Sequence, residues 1–196
     1  LKEGRSGIRF DQQLADLQFS CRVSGTPPID KENLNEYFTD LELRNFNSTG
    51  IMYGVIAGLD AWKDAGLEIS ADENPDWDSG TIFGAGTSGI EKFRESIYKI
   101  DALQTRRLGS TAVSQTMNSG ISAYLGGKLG LVNQVTTNSS ACTTGTESIL
   151  MAFDRIKSGK AKRILAGSTS DSGPYIWAGF DAIKVCNFKS NDQLDK

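Results

Sequence analysis

Apolar residues recur three or four apart in several segments of the chain, and short β-branched or glycine-flanked runs lie between them. From Ser48 onward, Ile51, Val55, Leu59 and Trp62 keep helical spacing and Gly66 follows as a stop, which predicts a helix ending before that glycine. The run GTIFGAG at 80–86 predicts a short buried strand entering a glycine-rich turn. A helix then carries Ile90, Phe93, Ile97 and Ile100 on one side. Ser110 is a candidate cap for a helix bearing Val113, Met117, Ile121 and Tyr124, with Ser114, Ser119, Gly120, Ala123 and Gly126 around the rest. So many small side chains imply close backbone approach to a neighbour. Next, NQVTTNSSA at 133–141 predicts a strand, and 142–159 a helix with Ile149, Leu150, Phe153 and Ile156 at core spacing and Gly159 as its stop. A further strand follows at 161–168, so the three make a βαβ unit whose helix should lie over a parallel strand pair. The first 47 residues are weakly patterned: a short strand at 17–23, a turn at 25–28 and a short helix about 31–39. Residues 70–79 read as a polar loop. No internal repeat or low-complexity tract interrupts the chain.

The alternation of strands and helices over 196 residues, 38% hydrophobic and 23% charged, fits one α/β unit with a well-filled core. No run approaches the ~18 apolar residues of a membrane span. A net charge of −3 provides no broad basic field for a phosphate backbone, which argues against a nucleic-acid partner. Cys21, Cys142 and Cys186 form no CxxC pair and are odd in number; they suggest a reducing, cytoplasmic setting without disulfides, and no metal site. The chain has no histidine, so a self-contained Cys-His or Ser-His hydrolase cannot be built from it. It opens on LKEGRSG without an initiator methionine and closes on a polar stretch, as expected of a chain cut at both ends.

Cys142 is the candidate for chemistry. In NSSACTTGTES it falls where strand pattern gives way to helix pattern, beside the free N–H groups and positive dipole end that favour a thiolate. Small neighbours would permit a sharp turn, with a backbone N–H placed to stabilise an oxyanion. A packed thiol at the foot of a helix fits the same local pattern, and both readings stand at this point. Cys21 and Cys186 lack such a setting and are expected to be inert. Gly84, Gly86 and Gly89 resemble a phosphate cradle, but the Lys-Ser/Thr of a P-loop is absent, which favours a tight packing turn. Arg106 and Arg107 read as a solvated loop, and Asp154, Arg155 and Lys157 as the exposed face of their helix.

Several segments in order, YGVIAGLDAWKDAGLEI at 53–69, IFGAGTSGI at 82–90, STAVSQTMNSGISAYLGGKLGL at 110–131, SSACTTGTESI at 139–149 and AKRILAGSTSD at 161–171, resemble the β-ketoacyl-acyl carrier protein synthases. These are elongating condensing enzymes of the thiolase superfamily. The resemblance covers nearly the whole chain, and Ala-Cys-Thr-Thr-Gly is its most specific element. It implies a thiolase-like α/β fold, here the N-terminal half of a duplicated βαβαβαββ arrangement without its first strand, over 1–196 as one half-domain. Cys142 would accept an acyl chain from acyl carrier protein and lend its N–H to the oxyanion hole. Malonyl-carrier protein would then lose carbon dioxide and attack the acyl thioester in fatty acid biosynthesis. The resemblance further implies Thr87 at the acyl pocket, a homodimer with the helix at 110–126 near its interface, and no cofactor. It also exposes a departure: the family's two catalytic histidines and supporting lysine lie in its second half, so this chain alone should not condense substrates. A thiolase, a starter-unit synthase and a noncatalytic dimerisation or scaffold subunit are the alternatives.

Overall fold

A computed structural model of the chain describes residues 3–29, 31–70 and 73–192. The polar ends expected at 1–2 and 193–196, and positions 71 and 72 of the expected loop, lie outside the described residues. The chain divides into two compact units, Leu1–Leu34 with Ser172–Lys196, and Asn35–Asp171.

In the first unit, strands β1 (Ile8–Phe10) and β2 (Val23–Gly25) pair antiparallel, with Phe10 opposite Val23, around the short helix α1 (Gln12–Asp16). The strand expected at 17–23 therefore begins only at its last residue. Its earlier part is a turn through Gln18, at φ 60°, after which Ser20 and Cys21 donate their backbone N–H groups to the Asp181 carboxylate instead of to a strand. The 31–39 stretch forms α2 (Lys31–Asn35) and then a break before α3 (Asp40–Leu43). Thr39 starts the new helix by a reciprocal cap with Glu42.

The second unit is a three-layer α/β sandwich. Its longest helix, α4 (Thr49–Asp64), ends where Gly66 takes φ +69°, as its spacing predicts. Strand β3 (Ser79–Ala85) is buried at every residue, which explains why it reads as an apolar and glycine run without alternation. After α5 (Ile90–Asp101) come two helices in place of the single one expected, α6 (Ala112–Thr116) and α7 (Gly120–Leu129). They separate at 117–119 because Gly120 presses against the chain of α6: a Cβ there would lie 2.1 Å from the Ser114 carbonyl oxygen. Strand β4 is only Val135–Thr136, followed by α8 (Thr144–Lys157), β5 (Arg163–Thr169) and, in the first unit, α9 (Pro174–Ala182).

The sheet order is β4-β3-β5, all parallel. β4 and β5 are thus joined through α8 as expected but are not neighbours; β3, the most buried strand, lies between them. One face of the sheet meets α4 and α7: the missing side chains of Gly54 and Gly58 let Ile121 and Leu125 close in, and Thr169 of β5 touches Gly54. The other face meets α8, through Gly84 against Thr144 and Ser168 against Gly145. Ser122 and Gly126 of α7 find close neighbours within this chain, whereas Ala123 and Gly127 are exposed. Ser122 reaches the carbonyl oxygens of Phe83 (3.0 Å) and Thr136 (2.7 Å), and Gly126 lies against Val135.

Two helices turn a different face inward from the one their apolar spacing suggests. On α8 the buried residues are Thr144, Ser148 and Ala152, while Ile149 is 62% and Phe153 57% exposed, with Leu150 and Ile156 also exposed. The glycine contacts give the reason: helix and sheet approach so closely that only small side chains fit between them. On α5, Phe93, Ile97 and Ile100 are exposed and the fully buried residue is Lys92. Its ammonium group donates to the Asn45 carbonyl (2.8 Å) and pairs with Glu95 (3.1 Å), which satisfies a charge that burial would otherwise penalise.

Candidate active site

Cys142 is exposed in a single 3-10 turn, Ala141–Thr143, that joins the strand side of the sheet to α8. The turn is sharp. Ala141 adopts φ 49°, a left-handed conformation that costs a residue with a Cβ about 1–2 kcal/mol. Thr144, the first residue of α8 and only 4% exposed, spans that strained residue: its hydroxyl accepts the Ser140 N–H (2.9 Å) and donates to the Ala141 carbonyl (2.7 Å). Thr143 adds a second tie, since both its N–H (3.1 Å) and its hydroxyl (2.8 Å) donate to the Ser140 carbonyl.

Below the turn, the Asn138 carbonyl accepts the N–H of Ala85 at the end of β3 (3.1 Å), and its amide donates to Ser148 (2.7 Å) and to the Thr144 carbonyl (3.3 Å). Gly84 makes room for this arrangement, because a Cβ on it would lie 2.1 Å from the Thr144 methyl. Thr143 makes no side-chain cap hydrogen bond at the start of α8. The positive end of that helix therefore faces the turn that carries the thiol. A thiolate here would meet a helix N-terminus and backbone donors, a setting for a nucleophile that forms a tetrahedral adduct.

The loop 86–89 lies beside this turn. The Gly86 carbonyl accepts the Ser139 hydroxyl and the Asn118 amide, each at 3.4 Å, and Thr87 is exposed next to it. Thr87 and Cys142 are thereby carried on adjacent loops at the C-terminal ends of β3 and β4, where ligands bind in open α/β sheets. The glycines of this loop serve packing: Gly89 sits at φ +71° with a would-be Cβ 1.9 Å from the Gln115 carbonyl oxygen. Asp171, buried, holds the far end of the loop. Its carboxylate accepts the N–H of Ile90 at the start of α5 (2.8 Å) and that of Gly50 at the start of α4 (2.8 Å).

The remaining candidates belong to other elements. Cys21 is buried and Cys186 half-buried; both line a cavity of about 280 Å³ in the first unit, and burial together with Cys21 and Asp181 pushes the Cys186 thiol up. Arg106 and Arg107 are exposed. Asp154 and Lys157 are also exposed, whereas Arg155 is half-buried and donates to Asn133 (2.7 Å). Among the described residues no group of His, Cys, Asp or Glu is arranged to hold a metal ion, and no helix is long and apolar enough to cross a membrane. The sequence pointed to Cys142 as the candidate and did not single out Thr144, Asn138 and Asp171, which tie its turn and the neighbouring loop. The signal for Thr144 was present as a buried-size hydroxyl two residues after the cysteine, but its role depends on the conformation of Ala141.

The chain has relatives among known proteins. A family model described as the N-terminal domain of β-ketoacyl synthase matches residues 1–194. The chain is 31% identical over 200 residues to 3-oxoacyl-[acyl-carrier-protein] synthase 1 of Escherichia coli (strain K12), covering 100% of this chain and 47% of that one. It is 30% identical over 197 residues to 3-oxoacyl-[acyl-carrier-protein] synthase 2 of Vibrio harveyi, covering 100% of this chain and 46% of the relative. The chain spans about half the length of the curated relatives it matches. Among solved structures, a β-ketoacyl synthase from Burkholderia phymatum STM815 superposes with a TM-score of 0.82 at 23% identity, covering 98% of this chain and 46% of that one, which shows a shared fold.

Proposed function

We propose, from the premise that the chain belongs to the β-ketoacyl synthase family, that Cys142 is the acyl-accepting nucleophile of a fatty-acid-type condensing enzyme and that 1–196 is one half-domain of it. The observation that carries this reading is the exposed thiol held on a strained, hydrogen-bonded turn at an uncapped helix N-terminus. In the reaction, the thiolate attacks the carbonyl carbon of an acyl thioester on acyl carrier protein. The carrier thiol leaves and takes up a proton. Malonyl-carrier protein then loses carbon dioxide, the resulting carbanion attacks the acyl group on Cys142, and the new carbon–carbon bond forms as the Cys142 thiolate departs. The N–H of Cys142 is half of the oxyanion hole that stabilises both adducts.

In this reading decarboxylation and protonation rest on the two histidines that the family resemblance implies, and this chain has no histidine. They belong to the other half of the duplicated fold, which would cover the large apolar side chains on the outer face of α8. The parent acts as a cytoplasmic homodimer with acyl carrier protein as its partner and no cofactor. Thr87, beside the approach to the thiol, bounds the acyl pocket. A Thr87→Phe variant of the two-half protein should slow loading of long acyl chains more than short ones, and equal slowing would remove Thr87 from the pocket.

The direct test is acylation of the purified chain by hexanoyl-N-acetylcysteamine with mass mapping. Labelling at Cys142 well ahead of Cys21 and Cys186 is expected, whereas equal labelling would make Cys142 a structural thiol. Malonyl-carrier protein should release no carbon dioxide with this chain alone, and turnover would overturn the division of labour between the halves.

A further inference from the structure

We infer that Thr144 is the positioning residue that holds Cys142 in its reactive place, an inference that rests on the reading of Cys142 as the nucleophile. Three observations converge on it. Its hydroxyl closes the turn from both sides, accepting from the Ser140 N–H and donating to the Ala141 carbonyl, so that one group uses a donor and an acceptor on either flank of the left-handed residue. Its carbonyl receives the Asn138 amide and the Ser148 hydroxyl (3.0 Å), which tie the start of α8 to the strand side of the turn. Its methyl group fills the space that the absent side chain of Gly84 leaves over β3. Without the hydroxyl, the Ser140 N–H and the Ala141 carbonyl lose this partner, and Ala141 is no longer held in a conformation that alanine rarely adopts by itself.

Thr144 makes its hydrogen bonds to the backbone around Cys142, and its effect on the thiol is through the turn. Two substitutions separate the roles of its atoms. Thr144→Val keeps the shape above Gly84 and removes the hydroxyl; Thr144→Ser keeps the hydroxyl and removes the methyl.

The experiment measures alkylation by iodoacetamide and acylation by hexanoyl-N-acetylcysteamine in the full chain, with each cysteine followed separately by mass mapping. In Thr144→Val both rates at Cys142 should fall about tenfold, the scale of one lost hydrogen-bonded constraint. Cys21 should stay protected and the Cys186 rate unchanged, while Thr144→Ser should keep Cys142 within about twofold of the parent chain. General loosening of the fold would instead raise Cys21 in step, and that result overturns the positioning role. An unchanged Cys142 rate in Thr144→Val, or an equal loss in Thr144→Ser, overturns it too. If the parent chain is alkylated at Cys142 but not acylated there, the nucleophile reading fails while the alkylation series still decides on Thr144.

Discussion

Thr81 lies fully buried in β3, and its hydroxyl has no hydrogen-bond partner. Thr81→Val keeps the shape and removes a desolvated polar group, so stability should rise by about 1 kcal/mol, read as a higher urea midpoint with an unchanged slope. Gly84→Ala works in the opposite direction: its Cβ would meet the Thr144 methyl at 2.1 Å, so it should cost about 1–3 kcal/mol and also disturb the Cys142 turn. In the first unit, the backbone N–H groups of Ser20 and Cys21 hold the Asp181 carboxyl below the usual carboxylate range. Its stabilising contribution is complete above the unfolded value of ~3.9 and is lost as pH falls through the lower folded value. Asp181→Asn should therefore flatten the acid limb of a thermal-melt series taken down to about pH 2, and an unaltered limb would deny Asp181 that role. The position of Cys142 at a strand-to-helix change was legible from the local pattern, whereas its choice as the nucleophile came from the family resemblance. The ties that hold it were not, since they join backbone atoms whose positions follow from one left-handed alanine.

For the elements, period was legible and facing was not. The spacing of apolar residues gave α4, α5 and α8 nearly whole, but spacing alone cannot say which side of a helix meets a sheet. In α8 the close approach at Gly84 and Gly145 selects the small side, and in α5 a paired lysine takes the buried place. The single helix expected from 110 became two because Gly120 and Ser114 are in contact, a tertiary fact that leaves no mark in periodicity. Asp171 joins elements more directly, by one carboxylate at the N-termini of both α4 and α5. Asp171→Ala removes two cap-like bonds at about 1 kcal/mol each. Hydrogen exchange should speed up in the first turns of α4 and α5 while the first turn of α8 keeps its protection; uniform acceleration would mean a global loss of stability instead.

At the scale of the molecule, β3, buried at every residue, is the centre of a parallel sheet between two helical layers, and the family resemblance read from sequence agrees with the family match and the shared fold. The outward side of α8 could not be foreseen, because a residue at core spacing gives no information about which core it belongs to. Ile149→Lys and Phe153→Glu should leave the melting behaviour of this chain nearly unchanged, within about 0.5 kcal/mol, because neither side chain is buried in it. The same changes in a two-half protein should prevent stable assembly, and a strong effect in the chain alone would place these residues in its own core. The composition of that face also sets a thermal character. Covering Ile149, Leu150, Phe153 and Ile156 removes apolar surface from water, so closure of the layer should carry a negative heat-capacity change, weaken on cooling and strengthen on warming from the cold. The helix that presents the thiol would then be most secure in warmth and first to lose its cover in the cold.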